Sequence, residues 1–114
     1  MNGRLRALLA ARAQAGDLVT YGEAARELGL RPPNTIQQVA AALDALMAED
    51  AAAGAPILAA LVVGKRRDGL PAPGFFQAAR RHLGYTGPDA GPDARACHDR
   101  LLARVRAHWG GGGA

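Results

Sequence analysis

The chain has 114 residues, 49% of them apolar and 4% aromatic, which is room for one domain and excludes two independent cores or a large multi-domain enzyme. The 14 basic residues outnumber the 10 acidic ones for a formal charge of +4, and every base but Lys65 is Arg; that skew reads as GC-rich coding bias or as a basic surface for nucleic acid. The one cysteine, Cys97, excludes an internal disulfide and a multi-cysteine zinc site, and it fits a reducing cytoplasm.

Residues 2–15 set Leu5, Leu8 and Leu9 on one side and Arg4, Arg6 and Arg12 mostly elsewhere, which predicts a short amphipathic helix ended near Gly16. No apolar run of signal length opens the chain, and none reaches the ~20 residues of a membrane span. A soluble, cytoplasmic chain with no membrane partner is expected. Thr20 and Glu23 have capping-box spacing, so a second helix starts at Tyr21 and stops at Gly29, with Ala24, Ala25 and Leu28 inward. Leu30 to Pro33 is a turn, and Asn34 or Thr35 can cap a third helix running to about Asp50. The clearest helical period in the chain, Ile36, Val39, Ala40, Leu43, Leu46 and Met47, marks its inward face.

Ile57 to Val63 is an unbroken apolar run between Pro56 and Gly64, and it reads as a buried strand. The loop Gly64 to Gly69 carries Lys65, Arg66 and Arg67; Pro71 and Pro73 then allow only a short or edge strand. Phe75 to Leu83 is a short helix stopped by Gly84, residues 86–92 are a hinge-like connection, and a last helix spans about 92–109 with Leu101, Leu102, Val105 and Trp109 on one face. Residues 110–114 are expected as a disordered tail. This order predicts a mostly α fold with a small β wing, a winged helix-turn-helix in a single domain over 1–109 with an extra C-terminal helix.

Specific residues then look familiar. Gly16-Asp17-Leu18-Val19-Thr20-Tyr21-Gly22-Glu23-Ala24-Ala25 resembles the start of the helix-turn-helix in the DNA-binding domain of O6-alkylguanine-DNA alkyltransferases and alkyltransferase-like proteins. Gln37 to Leu43 is similar to the family's next helix, and Pro56-Ile57, Val62-Val63 and Asp68-Gly69 resemble its active-site segment. The resemblance covers residues 16 to about 76 and implies an alkyltransferase C-terminal-domain-like fold. It also places Ala59 where the family has its nucleophilic cysteine, Ala60 where it has a histidine, and Gln37 where it has the arginine inserted into the duplex. A methyl group is no nucleophile, so the resemblance implies a non-catalytic protein. Tyr21 matches a tyrosine that contacts the DNA backbone at the target nucleotide.

No other catalytic, metal or cofactor set emerges. Cys97 and His98 are neighbours on a helix and point about 100° apart, so Cys97 reads as a structural cysteine. His82, His98 and His108 lack ligand spacing, and no glycine motif cradles phosphate. The expected function is therefore duplex DNA binding, with Tyr21, Arg31, Lys65, Arg66 and Arg67 on phosphates and Asn34, Thr35, Gln37 and Gln38 facing the groove, where Asn and Gln can read adenine. Arg26, Arg80 and Arg81 are further candidates for phosphate. Against this stands the third helix, whose residues 34–50 hold Asp44, Glu49 and Asp50 and no base; the loop bases also read as a solvated turn. The alternative is a protein-interaction or regulatory module that has lost DNA binding. It would use the helix 36–53, the run 57–63, the Phe75-Phe76 pair, or the C-terminal helix pairing with a partner or a twin chain; packing of that helix on its own domain is the simpler reading.

Overall fold

The computed structural model describes residues 2–110. Helix α1 (Asn2–Ala15) is followed by strand β1 (Val19–Thr20), helices α2 (Tyr21–Glu27) and α3 (Thr35–Ala53), a 3-10 turn (Leu58–Leu61), strand β2 (Val62–Val63), and helices α4 (Pro73–Leu83) and α5 (Gly91–Trp109). The two strands pair in parallel, Val19 opposite Val62 and Thr20 opposite Val63. The molecule is thus mostly helical with a small two-stranded sheet, and buried apolar side chains from every helix form one continuous core.

Local chemistry accounts for the helix starts. The Glu23 N–H donates to Thr20 Oγ at 3.1 Å and the Thr20 N–H donates to the Glu23 carboxylate at 3.0 Å, so the capping box forms in full and satisfies two donors that a helix start leaves open. The Thr20 N–H, and after it the Thr20 hydroxyl, hold the Glu23 carboxyl below its ordinary range. Helix α3 starts differently from expectation. Asn34 occupies the cap position with a left-handed φ of 63° but its side chain makes no cap bond. The turn before it is closed instead by the Gln38 amide, which donates to the carbonyls of Arg31 at 3.2 Å and Pro33 at 3.1 Å.

The largest departure lies at 57–63. Only Val62 and Val63 are strand, and Leu58–Leu61 is a helical turn. All four residues of that turn are at most 2% exposed, and a short apolar run buried on every side has no period to distinguish strand from helix. The turn satisfies its backbone locally and through Asp50: the Ala60 N–H donates to the Ile57 carbonyl at 3.1 Å, and the Leu58 N–H donates to the Asp50 carboxylate at 3.3 Å. Asp50 is itself 2% exposed and meets Arg6 of α1 at 2.8 Å. After β2 no further strand forms among the described residues. The Gly64 N–H donates to the Leu70 carbonyl at 2.8 Å, so the loop closes on itself before Pro71.

Phe75 and Phe76, considered above as protein contacts, are core residues of α4, stacked edge to face with centroids 5.2 Å apart. The run 57–63 is likewise buried throughout and presents no contact surface. Helix α5 buries Leu102 and Val105, with Leu101 and Trp109 packed against the same core, so its apolar stripe is used within its own domain. The expected tail lies outside the described residues from 111 onward; the Gly110 N–H donates to the Arg106 carbonyl at 2.8 Å. No helix among the described residues is long and apolar enough to cross a membrane.

Candidate nucleic-acid interface

The start of α2, the start of α3 and the loop after β2 converge on one cleft of about 540 Å³. The capping box fixes Tyr21 at the first position of α2, where its ring is buried and its hydroxyl accepts the Ala72 N–H at 3.2 Å. Burial pushes the phenol pKa up, against the Ala72 bond and the charge of Arg67, so the hydroxyl keeps its proton. That proton has no partner among the described residues and is available to an oxygen acceptor in the cleft. Arg26, Ile36 and Lys65 line the same cleft, together with Gly22 and Gly64.

Ile36 corrects the inward face read from the sequence. It is 45% exposed and lines the cleft, on the first turn of α3. The burial of α3 begins at Val39. Helical periodicity identifies a face but not where along the helix the neighbouring elements stop.

The sequence-predicted site residues fall into two groups. Arg31, Asn34, Gln37, Lys65 and Arg66 are exposed, and their side chains make no hydrogen bond or ion pair among the described residues. Thr35 is half-buried between them. Gln38 and Arg67 are committed elsewhere. Both recorded bonds of the Gln38 amide nitrogen go to the turn carbonyls, which removes the paired donor and acceptor that adenine reading needs. Arg67 donates from Nε to the Pro71 carbonyl at 3.0 Å and from a terminal nitrogen to the Asp89 carbonyl. Arg80 and Arg81 are also committed, Arg80 to Asp89 at 2.5 Å and Arg81 to Asp44.

The acidic half of α3 changes meaning in three dimensions. Asp44 meets Arg81 and His82, Glu49 meets Arg6 at 3.1 Å, and Asp50 meets Arg6 at 2.8 Å. Each carboxylate of that helix therefore touches a base from α1 or α4, with Glu49 and Asp50 sharing Arg6, while the cleft end of α3 carries no acid. Arg26 and Lys65 line the cleft with Glu23, whose carboxylate is bound into the capping box, and Arg31 lies in the turn that leads to α3.

Ala59 and Ala60 are both 0% exposed, so the positions matched to a cysteine and histidine lie inside the core without access to the cleft. His98 reaches them from α5. Its Nε2 is 2.7 Å from the Ala60 carbonyl, an acceptor only, so Nε2 carries the proton. Burial pushes the His98 pKa down and the Cys97 thiol pKa up. Cys97 thus sits on the unreactive side of its range, and His98 is bonded to the turn. Among the described residues no group of three or more His, Cys, Asp or Glu side chains is placed to hold a metal. Comparison with family models, curated proteins and solved structures finds no match for this chain.

Proposed function

We propose that the protein is a non-catalytic duplex DNA-binding module, with α2, the 28–34 turn and α3 acting as the helix-turn-helix of a winged-helix-like fold similar to alkyltransferase-like proteins. The observation that carries the reading is the segregation of charge at the cleft. Arg26, Arg31 and Lys65 are left without carboxylate partners around the exposed start of α3, while the acids of that helix lie toward its other end, where two arginines, Arg6 and Arg81, offset most of their charge. Phosphates are held by those three bases and by the Tyr21 hydroxyl, and Asn34 and Gln37 face base edges. Much of the affinity in such a site comes from released counterions, so it falls steeply with salt.

Fluorescence anisotropy of a labelled duplex at two salt concentrations tests this. Wild-type protein binds at micromolar concentration or tighter at low salt. The double variant R26A/K65A, which breaks no recorded hydrogen bond or ion pair, binds more weakly on every sequence, and the slope of log affinity against log salt falls by about 2. Absence of binding by the wild type at low salt, or an unchanged slope in the variant, overturns the assignment.

A further inference from the structure

The other side of the 64–71 loop carries a second basic pocket. Arg66, Arg67 and Asp68 face Pro92 and Arg95 of α5 across a cavity of about 560 Å³. The loop bases that look like one run in the sequence are therefore divided, Lys65 to the cleft and Arg66 and Arg67 to this pocket.

Two of its three guanidinium groups are held by uncharged partners. Arg67 donates to the Pro71 and Asp89 carbonyls, and Arg95 donates to the Asp68 carbonyl at 2.8 Å. By contrast, Arg6, Arg12, Arg80 and Arg81 each meet a carboxylate. A carbonyl fixes the direction of a guanidinium without cancelling its charge, and the group has five N–H donors, so donors remain on both arginines. Arg66 is exposed and has no partner among the described residues. Asp68 is the one carboxylate lining the pocket, and that of Asp89 is taken by Arg80. Gly64 belongs to the same arrangement, since a side chain there would come within 2.5 Å of the Arg67 Cγ and displace it. Like charges gathered this closely repel one another, and an oxyanion that accepts forked N–H bonds from several guanidiniums relieves that repulsion.

We propose that this pocket is a phosphate-binding subsite in which Arg66, Arg67 and Arg95 donate to the phosphoryl oxygens of a ligand. The inference goes beyond the DNA reading and does not require it. The phosphate can belong to a small phosphorylated ligand or to a duplex backbone that passes around the loop.

Pyrophosphate titrated into nitrogen-15-labelled protein, followed by the arginine Nε–H signals, tests the proposal, with sodium chloride at matched ionic strength as control. Saturable shifts of the Arg66, Arg67 and Arg95 signals are expected with pyrophosphate and not with chloride. The variant R66E leaves every recorded hydrogen bond in place and weakens this binding at least tenfold at unchanged melting temperature. Non-saturating shifts, equal shifts with chloride, or undiminished binding by R66E overturns the proposal. A duplex that moves the same signals and competes with pyrophosphate identifies a nucleic-acid phosphate as the natural ligand; pyrophosphate binding without that competition identifies a small phosphorylated one. Because the pyrophosphate titration contains no DNA, failure of the cleft assignment leaves its result intact.

Discussion

Removing the Asp50 carboxylate deprives Arg6 of its 2.8 Å partner and leaves the Leu58 N–H, inside the core, without its acceptor. An unsatisfied buried donor costs about 1–3 kcal/mol, so Asp50→Ala is expected to destabilise by about 2–3 kcal/mol in denaturant melts once the lost ion pair is included. Glu49→Ala is the matched control. Its pair with Arg6 is solvent-exposed, and such pairs contribute about 1 kcal/mol or less. His98 gives a pH dependence. Its folded pKa is depressed by burial, opposed by the Ala60 carbonyl and Asp99 and reinforced by the charges of Arg95 and Arg106. The unfolded chain therefore takes up the proton first, near the ordinary pKa of about 6.5. Stability is complete above that pH and is lost as pH falls below it. Thermal melts are expected to decline from pH 7 to pH 5, and H98Q, which keeps an N–H donor without a titrating ring, flattens that decline. If H98Q melts with the same pH profile as the wild type, His98 is not the group responsible.

Among the elements, those announced by side chains of fixed geometry were legible in advance. Thr20 and Glu23 satisfy two helix-start donors at a spacing no other local structure needs, and α2 begins where that pair requires. Thr20→Ala removes the hydroxyl acceptor of the Glu23 N–H and is expected to cost about 1 kcal/mol, read as a shift of the urea midpoint at constant slope. The Leu58–Leu61 turn was not legible, because the feature that decides it, acceptance of the Leu58 N–H by Asp50, lies on another helix. Its tightness is testable. Ala60 is 0% exposed and its carbonyl is occupied by His98, so Ala60→Leu is expected to overpack the core and cost about 1–3 kcal/mol. A change of less than a few tenths would mean that the turn has room the structure does not contain.

Over the whole molecule, the sequence located the bases but not their obligations. Arg67, Arg80 and Arg81 look as available as Lys65 or Arg66 when read along the chain. Folding commits them to Asp89, Pro71 and Asp44, contacts that span distances no local pattern encodes. The same applies to the acids of α3, whose contacts with Arg6 of α1 and Arg81 of α4 offset most of the negative charge that the sequence shows on that helix. Ile36 is the converse case, an apolar residue of the right period left at the surface where the first turn of α3 borders the cleft.

The parallel pairing of β1 with β2 also has a consequence for how the molecule assembles. Its two strands are only two residues long and lie far apart in the chain, with α2, α3 and the 3-10 turn between them. Contacts between distant segments must overcome the entropy of closing the intervening loop before they stabilise anything. Closing the ladder therefore gains from the local formation of α2 and α3, which shortens the loop between its strands. Thr20, at the end of that ladder, and Gly64, directly after it, both border the cleft, so the cleft is assembled only where the two strands have met. With the ladder open, the helices would keep their charge but the cleft between them would be incomplete.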